Sequence, residues 1–265
     1  MRRIAGAVIL TAAALFAGPS AMAGVVPFTW DPAGASPPLA GPGSAFTADT
    51  FSLNSSLRSV VQPGGGPFMA RRFETIIGFS LNGSPVTPVG FGSSYGLYLD
   101  FADTGFNPSP QIVHFTSVNV TLKADPGNRN GAALATASGI GFANTGPTGE
   151  ADDITLASGS MATASATLDL STGKRDVPDL VTFAPAAGQT GFFLSPALDG
   201  SVLLEFLASS LPDFVNTIEP DGTLITIFNN SVSSAQFVPA PEPGSILLLV
   251  AGLLGLAPLL RRSRQ

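Results

Sequence analysis

Cysteine is absent from this 265-residue sequence, and histidine and tryptophan occur only once each. Without cysteine the chain has no disulfide, no thiol nucleophile and no thiolate metal ligand. The lone histidine, His114, cannot build a multi-histidine metal site. A folded domain of this composition must therefore be stabilised by its hydrophobic core or by bound ions.

Basic residues are also scarce, and they are unevenly distributed. Five of the twelve lie at the two ends of the chain, which leaves residues 24–260 with seven basic residues against eighteen acidic ones, a net charge of −11. An acidic surface repels the phosphate backbone of DNA and RNA. Nucleic acid is therefore not expected as a partner.

Residues 1–23 have the three parts of a secretory signal peptide. Two arginines precede an apolar run over residues 4–17, and small residues follow, with Ala21 and Ala23 at the positions that signal peptidase requires. The apolar run is short for a membrane span, and nothing after Gly24 continues a helix. Cleavage after Ala23 is therefore predicted in preference to a retained N-terminal anchor.

The body of the chain, residues 24–238, is predicted to be one all-β domain, an antiparallel β-sandwich or jelly-roll-like fold between the N-terminal signal helix and a C-terminal transmembrane helix. The whole chain has 30 glycines and 23 prolines. In the body they separate short apolar segments without helix-length spacers, which favours antiparallel strands. Residues 28–46 are predicted to form a loop, and residues 203–211 have a helical alternative. The predicted strands cover residues 50–53, 72–81, 95–101, 112–124, 153–156, 162–170, 191–194, 202–207 and 224–229.

The clearest strand signal lies in residues 112–124, where Val118, Val120 and Leu122 alternate with polar residues. This alternation predicts one apolar and one solvated face. The strand ends at Asp125-Pro126-Gly127-Asn128, a typical turn sequence.

Two acidic loops supply oxygen ligands of the kind that calcium prefers. The first contains Asp125, Asn128 and Asn130, and the second contains Asp152 and Asp153. Neither loop has the EF-hand spacing, so a plain turn is favoured over an ion site. No cofactor is expected for this chain, with calcium as the alternative.

The sequence has few of the residue patterns that are typical of catalytic sites. A Ser-His-Asp triad through His114 is formally open, but the Gly-x-Ser-x-Gly elbow is missing. Carboxylates that can be nominated for glycoside hydrolysis are Asp152 with Asp153, Asp100 with Asp103, and Glu205. Acidic residues at turns are usually solvated or cap the turn, so a non-enzymatic protein is predicted.

The C-terminal residues 239–265 form a tail of a different character. Pro241, Glu242 and Pro243 precede an apolar run over residues 246–260, about 22 Å long as a helix. The sequence then ends in a basic cluster formed by Arg261, Arg262 and Arg264. The positive-inside tendency keeps these arginines in the cytoplasm and the body outside.

This tail resembles the bacterial PEP-CTERM sorting signal, whose parts are Pro-Glu-Pro, an apolar helix and terminal basic residues in this order. The alternative, an ordinary tail anchor, has no need of the Pro241-Glu242-Pro243 motif. The resemblance implies processing by an exosortase, an integral-membrane transpeptidase-like enzyme. It also implies transient anchoring in the inner membrane through residues 246–260, and a final location at the cell surface or in the extracellular matrix of a Gram-negative bacterium.

Several body segments are similar to the flocculation-associated PEP-CTERM proteins. They are residues 28–32, 94–98, 122–126, 153–159 and 191–193. This resemblance implies a part in floc or biofilm formation, with exopolysaccharide as a partner. The leading hypothesis is thus a non-enzymatic surface or matrix protein; the alternatives are a carbohydrate-binding module for exopolysaccharide and, third, a glycan-degrading enzyme.

Overall fold

The fold is built almost wholly from antiparallel strands. The computed structural model describes residues 24–64, 66–109, 112–129, 131–133, 146–148, 150–161, 166–169, 179–210 and 214–240. Short 3-10 turns occur at Pro32–Gly34 and Glu150–Asp152. The strands within the described residues are β1 (Phe28–Trp30), β2 (Phe46–Ala48), β3 (Thr50–Val61), β4 (Pro67–Leu81), β5 (Ser84–Val86), β6 (Tyr95–Ser109), β7 (Ile112–Pro126), β8 (Gly131–Ala133), β9 (Gly146–Thr148), β10 (Ile154–Met161), β11 (Ala166–Asp169), β12 (Asp179–Pro185), β13 (Phe193–Ser195), β14 (Val202–Ser210), β15 (Phe214–Ile218) and β16 (Leu224–Pro239).

Eight of these strands form a closed antiparallel β-barrel. Their order around the ring is β10-β12-β14-β16-β3-β4-β6-β7, and β7 pairs with β10 to close it. The closing register runs from Ile154 opposite Ala124 to Ser160 opposite Asn119. Closure leaves no free edge in the ring itself, although β5, β11 and β15 pair alongside it.

The all-β, antiparallel prediction is confirmed, but the sandwich or jelly-roll form is replaced by one closed barrel. Both architectures give strands with one buried and one solvated face, so alternation alone does not separate them. The difference lies in the long-range pairing of β7 with β10. Every predicted strand overlaps a strand of the structure. The predicted loop at 28–46, however, contains all of β1 and the first residue of β2.

The helical alternative for residues 203–211 is wrong where the structure describes these residues, because Val202–Ser210 is strand β14. Val202, Leu204 and Phe206 are all buried with a period of two residues. Leu203, on the opposite face, is also buried. This double burial makes the segment apolar throughout, a pattern that a buried helix shares.

The two predicted terminal helices lie outside the described residues. In the part of the chain that is described, no helix has the length and apolar character needed to cross a membrane.

The barrel interior contains a buried ion pair as well as apolar side chains. Glu74 Oε1 accepts hydrogen bonds from Ser55 Oγ at 2.9 Å and from Arg72 Nη1 at 3.2 Å. The Arg72 guanidinium also lies 3.7 Å from the centre of the Phe101 ring. Removing one partner of such a pair leaves a buried charge uncompensated, whereas the intact pair fixes the relative positions of β3, β4 and β6.

An aromatic cluster packs a second, three-stranded sheet, ordered β13-β1-β2, against the barrel. The Trp30 ring lies 5.8 Å from Phe51 of β3, 5.9 Å from Phe79 of β4 and 5.4 Å from Phe192. Burial of these rings supplies the apolar area that a chain without disulfides needs. Gln189 stabilises the same region, because its Oε1 accepts a hydrogen bond from the amide of Ser36 and its Nε2 donates one to the carbonyl of Ser36.

Barrel closure depends on a small residue at position 159, and this generates a first prediction. A Cβ at Gly159 would overlap the carbonyl oxygen of Thr182 and lie 2.8 Å from Val181 Cγ1. Gly159→Ala should therefore destabilise the protein by about 2 kcal/mol or more, as overpacking does, and thermal unfolding followed by circular dichroism measures the loss.

The matched control is Gly78→Ala, because Gly78 also lies in a barrel strand but a Cβ there meets nothing within 4 Å. This variant should keep the wild-type Tm or exceed it slightly, since alanine has less conformational entropy to lose. Equal Tm values for the two variants would show that Gly159 does not sit between β7 and β12 as described.

Candidate functional site

The pairing that closes the barrel also brings the two predicted acidic loops together. Asp125 lies near the end of β7, and Asp153 directly precedes β10. Because Ile154 is in register with Ala124, Asp153 stands beside Asp125. Carboxylate oxygens of Asp125, Asp152 and Asp153 all lie within 4.8 Å of one another. We call these three residues the carboxylate cluster.

The carboxylate cluster ranges from buried to exposed. Asp125 is 2% exposed, Asp153 is half-buried and Asp152 is exposed. The hydroxyl of Tyr98, on the outer face of β6, donates a hydrogen bond to Asp153 Oδ2. Three carboxylates at this separation repel one another, and the repulsion is stronger away from bulk water. A divalent cation relieves it, and oxygen-only ligands are those that calcium takes.

The structure brings some of the predicted calcium ligands together and places others elsewhere. It unites Asp125 with Asp152 and Asp153, which the sequence placed in separate loops. The Asn128 side chain instead serves its turn, because its Nδ2 donates to the carbonyl oxygen of Gly92 at 2.8 Å. Asn130 lies outside the described residues. Calcium binding by the cluster stays a prediction.

Sequence reasoning missed Tyr98 as a partner of this cluster. Tyr98 pairs with Lys123 in the β6–β7 register, two residues before Asp125. An aromatic residue on a strand is ordinarily assigned to the core, and Tyr98 is indeed buried. Only the strand register reveals that its hydroxyl reaches Asp153.

The carboxylates nominated for catalysis are mostly engaged elsewhere. Asp100 faces outward and accepts hydrogen bonds of 2.8 and 3.0 Å from Arg71 Nη2. Asp103 is three residues farther along β6, so its side chain lies on the opposite, interior face, where it is buried. Glu205 Oε2 accepts from Gln236 Nε2 at 2.8 Å. Asp100 and Asp103 therefore do not form a catalytic pair.

His114 lies on β7 with its ring stacked on Phe106, the ring centres being 5.2 Å apart. Thr167 of β11 is its partner in the strand register. This environment agrees with the interpretation of His114 as a strand-face residue.

The sorting and cleavage residues lie outside the described residues. These are Ala21, Ala23, Pro241, Glu242, Pro243, Arg261, Arg262 and Arg264. Strand β16 continues to Pro239, and the amide of Ala240 still donates to the carbonyl of Ser201 at 2.9 Å. The described part of the body thus extends to the residue before the Pro241-Glu242-Pro243 motif.

No protein-family model and no curated protein matches this chain. The likeness of the tail to a sorting signal, and of the body to flocculation-associated proteins, therefore stays a prediction from the residues quoted above.

The carboxylate cluster generates the second prediction, a rise in Tm with calcium. Free calcium at about 100 times its Kd stabilises a one-site protein by about 2.7 kcal/mol. For a domain of this size that corresponds to a rise of about 5–10 °C in Tm. Differential scanning calorimetry with calcium and with a chelator measures the shift, and Asp125→Asn should remove most of it.

Asp221→Asn is the matched control for this experiment. Asp221 is an exposed turn aspartate whose Oδ1 accepts from the amide of Thr223 at 2.9 Å, distant in sequence from the cluster. Its variant should keep the full calcium shift. The cation assignment is wrong if the wild type shows no shift, or if both variants reduce it equally.

Proposed function

We propose that this protein is a non-enzymatic, exported component of the cell surface or extracellular matrix that supports floc or biofilm formation. An exosortase sorts it through residues 239–265, after signal peptidase has removed residues 1–23. The observation that carries the proposal is the order of the parts in the tail sequence: Pro241-Glu242-Pro243, then the apolar run, then the basic end. This tail follows a body whose described structure extends to Ala240.

The sequence of the tail supports recognition close to the membrane. Residues 241–245 lie between the described body and the apolar run, and five residues span at most about 18 Å when fully extended. Prolines 241 and 243 prevent this segment from forming a regular helix or a central strand. A membrane-embedded enzyme that holds the apolar run therefore finds the motif just outside the bilayer.

The body supports a structural role more than a catalytic one. Asp100 is bound by Arg71, Glu205 by Gln236, and His114 is stacked on Phe106. The large aromatic core around Trp30 provides stability without disulfides. Such a body suits a matrix component, which must persist outside the cell.

The third prediction concerns the sorting motif. Replacing Pro241, Glu242 and Pro243 by alanine should leave export and signal-peptide removal intact, because neither step uses the tail. Processing of the tail should fail, so that a form heavier by the tail accumulates in the inner membrane. A fractionation blot of wild type and variant detects this form.

Two further variants make the blot decisive. Ser263→Ala with Gln265→Ala alters the tail but keeps the motif, the apolar run and every arginine, and should mature normally. Removal of residues 244–265 should release a soluble body that misses its destination, because no apolar run detains it. If the triple-alanine variant matures and localises like wild type, the motif is only a linker.

A further inference from the structure

A cleft of about 620 Å³ crosses the outer face of the barrel where β7, β10 and β12 lie side by side. Its floor presents Asn119 and Thr121 of β7, Ser158 and Ser160 of β10, and Thr182 of β12. These side chains are exposed or half-buried. The cleft is distinct from the carboxylate cluster and shares no residue with it.

The strand register arranges the floor in rows. One row runs from Asn119 through Ser160 to Thr182 across the three strands. A second row pairs Thr121 with Ser158. Neighbouring strands lie about 4.8 Å apart. Hydroxyl and amide groups therefore repeat across the cleft at a regular interval. The Thr182 hydroxyl already donates to the carbonyl of Ser160, and the Asn119 amide to the hydroxyl of Ser117, but the oxygen atoms of both side chains can still accept.

One wall of the cleft is the loop of Leu198, Asp199 and Gly200. Leu198 is buried in the core and anchors this loop to the barrel. The amide of Ser201 donates to Asp199 Oδ1 at 2.9 Å. Hydrogen bonds from the side chain and the backbone of Ser201 lower the pKa of Asp199, so its carboxylate is ionised at neutral pH.

The residues that line the cleft determine which chemical class of ligand fits it. A cleft of this volume holds a small ligand or a short segment of a polymer. Among the described residues that line it, Asp199 is the single charged one, so an anionic ligand meets repulsion there and no basic partner. The lining also includes apolar residues, among them Ala184 and Leu198. A sugar chain presents both hydroxyl groups and apolar C–H faces, so this mixed lining suits it, whereas a lipid tail would bury the hydroxyl groups of the floor without hydrogen bonds.

We propose that this cleft binds a segment of an uncharged glycan chain, laid across β7, β10 and β12. The proposal deepens the proposed function, on which it rests for its biological setting, by assigning the matrix polymer a class and a site. Each hydrogen bond contributes only about 0.5–1.5 kcal/mol, and the described lining of the cleft has no exposed aromatic side chain for stacking. Binding to one segment is therefore weak, and a polymer with many segments is retained by avidity.

Affinity gel electrophoresis tests the glycan class with the full-length protein in a non-ionic detergent. Separate native gels contain a neutral glucan (dextran), a neutral galactomannan, a neutral xyloglucan, a soluble N-acetylated chitin derivative, or a polyuronate (alginate). We expect at least one neutral polymer to retard the protein and alginate not to. Retardation by none of the neutral polymers, or retardation by alginate equal to theirs, overturns the proposal.

Substitutions then locate the site. Ser158→Tyr places a bulky ring in the cleft and should raise the apparent Kd for the retarding polymer about tenfold or more, whereas Asn119→Ala should weaken binding a few fold by loss of its hydrogen bonds. Ser84→Tyr makes the same change at an exposed position of β5, outside the cleft, and should bind like wild type.

The control outcomes separate the two proposals. Equal retardation of the Ser158→Tyr and Ser84→Tyr variants, both with wild-type Tm, places the binding elsewhere and overturns the cleft assignment. This result leaves the tail blot unaffected. Conversely, normal maturation of the triple-alanine variant removes the sorting role while glycan retardation in the gel persists.

Discussion

The antiparallel pairing of β7 with β10 is the interaction on which the rest of this structure depends. It closes the eight-stranded ring and so removes the edges that an open sheet would expose. The same register sets Asp153 beside Asp125 and Ser160 beside Asn119. Both candidate surfaces, the carboxylate cluster and the polar cleft, are therefore consequences of one pairing between segments that are about 30 residues apart in the sequence.

Closure makes particular demands on β10. Its register with β7 shifts between Thr155 and Ala157, and both Leu156 and Ala157 are buried, as expected where a bulge increases local twist and curvature. Farther along, Gly159 lies so close to the backbone of β12 that a side chain would overlap it. A bulge and a glycine within five residues allow this strand to bend between β7 and β12, which an unbroken run of large side chains would prevent.

The fold class followed from the sequence, but the closure did not. Alternation over Val118, Val120 and Leu122 correctly predicted the buried face of β7, because period-two burial is a local property. Which strand pairs with β7 on its open side is non-local, and no local pattern encodes it. Asp125 and Asp153 were likewise named from the sequence as candidate calcium ligands, whereas their proximity depends on the register. Tyr98 and the polar cleft were missed for the same reason.

The placement of basic side chains limits how the described part of this body can bind an anionic polymer. Arg58 and Arg72 are buried, and Arg71 and Lys123 both contact Asp100. Among the described residues few cations therefore remain to meet an anionic polymer, and the net charge of residues 24–260 opposes its approach. Two of the contacts proposed above need no basic side chain: hydrogen bonds to uncharged glycan in the cleft, and a divalent cation at the carboxylate cluster. These contacts differ in their response to a chelator, because only the second requires an ion.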